Sequence, residues 1–121
     1  RTGMAATAIR AEIVARFGYD LSMSVDEIRP WYRYNERALD TVPQALTCAL
    51  EGTDYEDAIR NAISIGGDSD TVAAIAGGLA EALFGIPEGI AETGWGKLPD
   101  DMKPLLIALY ARVQGPQEDR N

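Results

Sequence analysis

The feature that most constrains the fold is residues 63–85, I-S-I-G-G-D-S-D-T-V-A-A-I-A-G-G-L-A-E-A-L-F-G, where two glycines end one helical pattern and Asp-x-Asp-Thr begins another. Asp68 occupies a position from which its side chain can accept hydrogen bonds from the new helix. Asp70 and Thr71 then lie in the first turn, where the macrodipole favours negative charge. From residue 72 to 84 the only charged residue is Glu81, and a helix that is apolar nearly all round belongs inside a bundle. The sequence therefore predicts acidic oxygen ligands at the tip of a buried helix.

This junction has two interpretations. Two carboxylates held together repel unless a positive charge lies between them, and oxygen donors of this kind suit Mg²⁺ or Mn²⁺. One interpretation is therefore a divalent-metal site, at which Gly66 and Gly67 let the backbone come close to a ligand. The other is an N-cap that follows a glycine C-cap, since capping uses the same residue types. A calcium loop is disfavoured, because the distal Glu of that pattern is missing.

Composition excludes several function classes. The 121 residues suffice for one domain with a modest core. A net charge of −8 without a basic stripe argues against nucleic acid, because nothing would neutralise the phosphates. One cysteine and no histidine exclude an internal disulfide, a Ser-His-Asp triad and an ordinary zinc site. Cys48 is predicted to be a small core residue, and with no apolar run of transmembrane length we expect a cytoplasmic protein without a membrane partner.

An aromatic segment lies at residues 31–34, W-Y-R-Y, with Arg29, Arg33 and Arg37 interleaved and no helical period. One interpretation is a loop that the aromatic side chains hold in place. The other is a wall for a nucleotide, with a ring stacked on adenine or ribose and an arginine near phosphate.

Outside the junction and the aromatic segment, the apolar periodicity and capping residues between positions 5 and 63 predict successive helices. An amphipathic helix over 5–17 ends at Gly18, with Ile9, Ile13, Val14 and Phe17 on one stripe. A capping box of Ser24 and Glu27 begins a short helix that stops near Arg29. Thr41 is expected to cap a helix that ends at Gly52, and Thr53 with Glu56 to form a second capping box. The apolar face of the helix after that box comprises Tyr55, Ala58, Ile59, Ala62 and Ile63.

The last third predicts one helical turn over 88–92, a loop over 94–96 and a final helix from Pro99. The final helix is expected to face inward with Met102, Leu105, Leu106, Leu109 and Val113, and residues 114–121 to form a frayed tail. The predicted fold class is all-α, a compact helical bundle in a single domain over residues 1–121.

The motif G-G-D-S-D-T at 66–71, with the small-residue helix after it, resembles the C-terminal signature of the ADP-ribosylglycohydrolase family, of the dinitrogenase reductase-activating type. Segments 17–34, 41–46 and 54–67 are similar to successive upstream segments of its bacterial branch, so the resemblance covers roughly residues 9 to 90. It implies that this chain is the C-terminal portion of such a domain and shares its all-α fold.

The resemblance also implies an activity. In that family the aspartates and the threonine of the motif bind a pair of Mg²⁺ or Mn²⁺ ions, which orient the ribose of ADP-ribose and help water cleave its bond to an acceptor. Carried over, this makes Asp68, Asp70 and Thr71 metal ligands and implies substrate contacts at Gly66, Gly67, Ser69 and Tyr34. The substrate would be an ADP-ribosylated protein or a small ADP-ribose conjugate.

The chain departs from the family in two ways. The Thr-Asp-Asp that supplies the second ligand set is absent from the sequence, so half of the binuclear site is missing and the isolated chain is expected to be inactive. Relatives also tend to carry Asp at the position of Asn35 and a small polar residue at that of Arg37.

Three readings stay open: the C-terminal half of a hydrolase, a degenerate non-catalytic ADP-ribose or metal binder, and a helical interaction module in which Asp68 and Asp70 only cap. Apolar surface left by the missing layers predicts pairing with the N-terminal half of the family domain or with a second copy of the chain.

Overall fold

The computed structural model describes residues 3–113, which form seven helices and no strand, so the predicted all-α fold class is confirmed. These residues divide between Ile86 and Pro87 into two compact units. The helices of the first unit are α1 Ala6–Phe17, α2 Val25–Ile28, α3 Ala38–Glu51, α4 Tyr55–Ser64 and α5 Ser69–Phe84, and those of the second are α6 Glu88–Lys97 and α7 Lys103–Val113.

The core of the first unit lies where α3, α4 and α5 pack on one another, with α2 added at one side of α3. Small residues make this packing close: a Cβ on Gly52 would lie 2.8 Å from that of Ala58, and one on Gly77 would lie 3.2 Å from Cδ1 of Ile59. Cys48 is fully buried in this core, as predicted, and burial raises the pKa of its thiol to about 12. A thiol of that kind stays protonated and packs as a small apolar group.

Helix α5 is buried along one face rather than all round. Its buried residues are Val72, Ala76, Gly77 and Ala80. Ala74, Gly78 and Ala82 on other faces are exposed, and Phe84 is 43% exposed. The expectation of a fully interior helix is therefore wrong, because α5 packs mainly on α3 and α4 within the part of the chain that the structure describes.

The short helix α2 begins as predicted. The Ser24 hydroxyl accepts from the backbone N–H of Glu27, and the Glu27 carboxylate accepts from the backbone N–H of Ser24 at 2.7 Å, so both halves of the capping box are present. The helix ends at Ile28, and the chain turns back so that the backbone N–H of Tyr32 donates to the Ile28 carbonyl at 3.0 Å. This turn buries Tyr32 at the edge of the core.

Two predicted helix starts are wrong. Helix α3 begins at Ala38 rather than at Thr41, which is buried inside the helix, and Pro43 therefore also lies within it. Helix α4 is capped by Asp54, whose Oδ1 accepts from the backbone N–H of Asp57 at 2.8 Å. The predicted box of Thr53 and Glu56 is displaced by one residue, because the Asp57 carboxylate accepts from the backbone N–H of Thr53.

Two apolar stripes are less buried than expected. Helix α1 ends at Gly18 in the left-handed conformation, as predicted, yet Val14 and Phe17 are exposed and no residue of this described helix is fully buried. On α4, Ile63 is 54% exposed, so the buried face of that helix is narrower than the predicted stripe.

In the second unit, α6 runs through Gly94, Trp95 and Gly96, where a loop was expected, and α7 begins at Lys103 rather than near Pro99. Met102, Leu105, Leu109 and Val113 were predicted to face inward and are exposed, whereas Leu106 is half-buried. The predicted frayed tail lies outside the described residues. Within the described ranges, no helix combines the length and apolar character needed to cross a membrane.

Candidate functional site

Two consecutive left-handed glycines connect α4 to α5. Gly66 has φ 76° and Gly67 has φ 70°, a conformation that residues with a Cβ rarely adopt. The N–H of Ser69 donates to the Gly67 carbonyl at 3.0 Å, which closes a tight turn, and the N–H of Val72 donates to the Asp68 carbonyl at 3.0 Å, which is the first bond of α5. Asp68, Ser69, Asp70 and Thr71 therefore form the N-cap and first turn of this helix.

Gly67 is in direct contact with the segment that follows α2. A Cβ at Gly67 would lie 2.6 Å from Cε1 of Tyr32 and 3.3 Å from the carbonyl oxygen of Arg33. Nothing in the described residues lies within 4 Å of a Cβ at Gly66. The close approach that the sequence predicted for a ligand is therefore made, at Gly67, by an aromatic ring of the chain itself.

The Asp68 side chain does not cap α5. Asp68 occupies the N-cap position, but in the described structure its carboxylate accepts no hydrogen bond from the first turn. The predicted capping role of this side chain is therefore wrong. The cause is the backbone: ψ of Asp68 is 72°, far from the 151–178° magnitude found at the extended N-caps of α1, α2 and α4.

The two carboxylates of the motif lie close to each other. A hydrogen bond with the Asp68 side chain, followed by that from the Thr71 backbone N–H at 3.0 Å, lowers the pKa of Asp70. Asp68 is half-buried, whereas Asp70 and Thr71 are exposed. A group that approaches from solvent can therefore reach both carboxylates and the Thr71 hydroxyl.

Tyr34 lies on the same side of the unit as this pair. Its hydroxyl donates to Oε1 of Glu36 at 2.7 Å. That hydrogen bond raises the pKa of Tyr34, with smaller contributions from burial and from the charges of Asp68 and Asp70. The ring is 63% exposed, so its faces are available to a ligand.

The segment between Tyr34 and α3 is fixed by Asn35. Its Oδ1 accepts from the backbone N–H of Arg37 at 3.1 Å and from the Thr41 hydroxyl at 3.2 Å, and its Nδ2 donates to the Arg33 carbonyl at 3.2 Å. Arg37 in turn pairs with Asp40 at 3.4 Å. At both positions the side chain therefore helps to shape the loop before α3.

The described residues supply no cation to the two carboxylates of the motif. Arg29 pairs with Asp26 and donates to Ser64, and Arg33 donates to two backbone carbonyls. Neither forms an ion pair with Asp68 or Asp70. Two close carboxylates that lack a cap bond and a cationic partner are chemically suited to a hard divalent ion.

The donor set fits such an ion only in part. Asp68, Asp70 and Thr71 offer three oxygen-bearing side chains, whereas Mg²⁺ takes about six ligands, several of them commonly water. Across residues 3–113, no group of three or more His, Cys, Asp and Glu side chains gathers at one place. The remaining ligands of a metal here would be water or would come from outside the described residues.

Sequence reasoning missed the importance of Tyr32 and of the residues around Phe17. Tyr32 is 2% exposed and forms the surface on which Gly67 rests. Phe17 and Tyr19 stack with ring centroids 6.0 Å apart and line a cavity together with Trp31 and Tyr34. The sequence signal for this arrangement was the density of aromatic residues at 31–34, since only the tertiary structure brings residues 17–19 beside that segment.

Comparison with known proteins identifies relatives. The model of one protein family, described as ADP-ribosylglycohydrolase, matches residues 4–119. ADP-ribosylarginine hydrolase Tri1 of Pseudomonas putida (strain GB-1) is 34% identical over 95 residues, which cover 75% of this chain and 24% of that protein. ADP-ribosylhydrolase ARH3 of Danio rerio is 30% identical over 120 residues, covering 82% of this chain and 30% of that protein.

The chain thus spans less than a third of the length of either of these curated relatives. No solved structure matches the chain at a significant level.

Proposed function

The chain belongs to the ADP-ribosylglycohydrolase family, and we propose that it supplies one half of a binuclear magnesium or manganese site that hydrolyses the ribosyl bond of ADP-ribosylated substrates. The observation that carries this proposal is the carboxylate pair at the start of α5. Asp68 and Asp70 lie close together, and the Asp68 carboxylate accepts no cap bond within the described residues. A pair of aspartates that served only the helix would not leave the cap unmade.

The ligands from this chain would be the Asp68 and Asp70 carboxylates and the Thr71 hydroxyl. A bound ion would polarise the ribose hydroxyls and lower the pKa of a water molecule. The chain's own contribution is to hold the two carboxylates together before a cation arrives, so that their repulsion is relieved on binding. The contact of Gly67 with Tyr32 fixes the loop on which they sit.

The substrate contacts that we propose are Gly66, Gly67, Ser69 and Tyr34. The space beside Gly66 is open, whereas Tyr32 packs on Gly67, so a substrate would reach Gly67 only on the side away from that ring. The Tyr34 side chain is exposed beside the acidic pair. The names of the two relatives refer to ADP-ribosylarginine and to ADP-ribosyl bonds, and we extend this substrate class to the present chain.

Catalysis requires ligands beyond these three side chains. We propose that they come from the N-terminal half of the family domain, in the same or another chain, because the sequence contains no Thr-Asp-Asp. The 121-residue chain alone is then expected to bind metal weakly and to release no ADP-ribose.

Metal binding tests the proposal directly. Titration of the chain with Mn²⁺, followed by electron paramagnetic resonance, should show saturable binding that Asp70→Asn or Asp68→Asn weakens at least about tenfold, because each removes one anionic ligand of a hard cation. Asp101→Asn, an exposed acid of the second unit, is the matched control and should leave the affinity unchanged. Equal affinities for all these variants would sink the metal site.

Activity is the second measurement. Release of ADP-ribose from ADP-ribosylated arginine and serine peptides should be undetectable for the chain alone with Mg²⁺. Release that Asp70→Asn abolishes would show that the chain needs no further ligands.

A further inference from the structure

Gly67 lies against a surface made by two neighbouring residues of the segment after α2. The atoms nearest to a Cβ at Gly67 are Cε1 and Cδ1 of the Tyr32 ring, at 2.6 and 3.1 Å, and the carbonyl oxygen of Arg33, at 3.3 Å. Gly67 directly precedes the acidic pair, Asp68 and Asp70, in the chain, so the position of this surface sets the loop on which the pair stands. Whatever holds the surface in place therefore also holds the pair.

Asn35 holds one half of this surface directly. Its Nδ2 donates to the Arg33 carbonyl at 3.2 Å, and that carbonyl is the one that lies against Gly67. Rotation of this peptide group would break the hydrogen bond, because such bonds weaken steeply when the donor and acceptor are misaligned. The Asn35 carboxamide therefore fixes the direction in which the Arg33 carbonyl points.

The same carboxamide reaches the Tyr32 ring through Thr41. The Tyr32 hydroxyl donates to Thr41 Oγ1 at 3.4 Å, and the Thr41 hydroxyl donates to Asn35 Oδ1 at 3.2 Å. Each hydroxyl accepts one bond or donates the next, so both bonds can form together, and Tyr32 and Thr41 are both buried. The bond at 3.4 Å is long, so this connection through Thr41 is expected to contribute less than the bond to Arg33.

A turn before α3 accounts for only part of this arrangement. Asn35 Oδ1 also accepts from the backbone N–H of Arg37 at 3.1 Å, and asparagine and aspartate both make that kind of turn. An aspartate at position 35 would have no donor for the Arg33 carbonyl, however, because an ionised carboxylate only accepts hydrogen bonds. The amide end of Asn35 is therefore used for the surface at Gly67 and not for the turn.

We propose that Asn35 is a positioning residue for the acidic pair, because its carboxamide fixes both groups that lie against Gly67. It acts on the carbonyl directly and on the ring through Thr41. The backbone of Tyr34, the residue before Asn35, is held by the same bonds. In taking the acidic pair as a divalent-metal site, the inference rests on the proposed function. The placement of the Gly67 loop by Asn35 does not depend on it.

The first measurement is the affinity of the full 121-residue chain for Mn²⁺, by electron paramagnetic resonance. Asn35→Ala should weaken binding about threefold to tenfold, because both carboxylates remain but their loop is no longer held. Asn61→Ala is the matched control. The Asn61 Nδ2 also donates to a backbone carbonyl of the first unit, that of Cys48 at 3.3 Å, and its loss should leave the affinity unchanged.

Variants of Thr41 separate hydrogen bonding from packing. Thr41→Val keeps the shape of the side chain but removes the hydroxyl, so it breaks the connection to Tyr32 and should weaken Mn²⁺ binding about twofold to threefold. Thr41→Ser removes the methyl group but keeps the hydroxyl, so it should retain the affinity of the unaltered chain. A greater loss for Thr41→Ser than for Thr41→Val would contradict the inference, because the side chain would then act by packing.

The second measurement needs no metal. In nuclear magnetic resonance spectra of the metal-free chain, the backbone amide signals of Gly67 and Asp68 should shift in Asn35→Ala and in Thr41→Val. They should keep their positions in Asn61→Ala, which removes a hydrogen bond elsewhere in the same unit. Thr41→Val provides the same test if Asn35→Ala does not fold.

The two measurements distinguish this inference from the proposed function. Unshifted Gly67 and Asp68 amides in Asn35→Ala would overturn the positioning role, as would an unchanged affinity for Mn²⁺, and the metal site would stand. If the unaltered chain binds no Mn²⁺ while these amides shift in the variants, the proposed function alone is refuted, and Asn35 still positions the loop.

Discussion

An aspartate occupies the N-cap position of both α4 and α5, but the two side chains make different hydrogen bonds. Asp54 at the start of α4 caps that helix, because its Oδ1 accepts from the backbone N–H of Asp57 at 2.8 Å. Asp68 at the start of α5 makes no such bond within the described structure, and its carboxylate lies against that of Asp70. An aspartate before a helix thus predicts the helix boundary and does not establish what the carboxylate does.

The difference comes from the residues before each helix. Thr53 precedes Asp54, and its backbone N–H donates to the Asp57 carboxylate, which closes a local reciprocal motif. Asp68 follows two left-handed glycines, of which Gly67 is pressed against Tyr32. The start of α4 is therefore fixed by neighbours in sequence, and the start of α5 by a contact with residues over thirty positions away.

The largest effect is expected when a methyl group is added at that contact. Gly67→Ala should lower the free energy of unfolding by about 2–4 kcal/mol, because it combines a left-handed backbone with a clash against the Tyr32 ring. Gly66→Ala has a similar φ and open space around its Cβ, so it should cost only about 1–2 kcal/mol. Urea unfolding of the two variants gives the difference.

This matched pair separates strain from packing. Equal losses at Gly66 and Gly67 would mean that backbone strain is the whole cost and that the Tyr32 contact is dispensable. A larger loss at Gly66 would contradict the packing described for this junction.

A smaller loss of stability is expected when the N-cap aspartates of α4 and α5 are replaced. Asp54→Ala should cost about 1 kcal/mol, within the usual range for loss of an N-cap. Asp68→Ala should change the free energy of unfolding by less than about 0.5 kcal/mol in metal-free buffer, because no cap bond is lost. Thermal unfolding in the presence of a chelator measures both.

Added Mn²⁺ sharpens the same comparison. It should stabilise the Asp54→Ala variant as much as the unaltered chain, and it should not stabilise Asp68→Ala, since ligand binding to the folded state alone raises stability. A loss near 1 kcal/mol for Asp68→Ala without metal would return Asp68 to the role of a cap.

Local sequence patterns predicted the all-α class, the box of Ser24 and Glu27, the Gly18 cap and the burial of Cys48. Each of these depends on a few adjacent residues or on a strongly apolar neighbourhood. The predicted starts of α3 and α4 were displaced, because several residues in each region can cap a helix and only packing selects among them. The loop expected at Gly94–Gly96 is helical, so two glycines and a tryptophan do not by themselves end α6.

For the candidate site, too, the local motif could be predicted from the sequence and its tertiary contacts could not. The motif at 66–71 was recognised with its carboxylates and glycines, and the structure brings Asp68 and Asp70 together. The contact of Gly67 with Tyr32 and the placement of Phe17 and Tyr19 beside Trp31 could not be predicted from the sequence, since each brings together segments that are distant along the chain. The metal roles of Asp68, Asp70 and Thr71 stay predictions. So do the substrate roles of Gly66, Gly67, Ser69 and Tyr34.

The smallest change in stability is expected for the capping box of Ser24 and Glu27 at the start of α2. Hydrogen bonds from Ser24, first its backbone N–H and then its side chain, lower the pKa of Glu27 below its ordinary value of 4.5. A carboxyl group whose folded pKa is lowered stabilises the fold above its unfolded pKa, and that contribution is lost as the pH falls through the folded value. Glu27→Gln keeps an acceptor for Ser24 but cannot titrate, so its stability should fall less steeply below about pH 4.5 than that of the unaltered chain. Chemical unfolding at a series of acidic pH values measures the two slopes, and Ser24→Ala, which removes the partner, should flatten the slope in the same direction. If the free energy of unfolding depends on acidic pH in the same way for the unaltered chain and for Glu27→Gln, the charge of Glu27 does not contribute to the stability of the capping box.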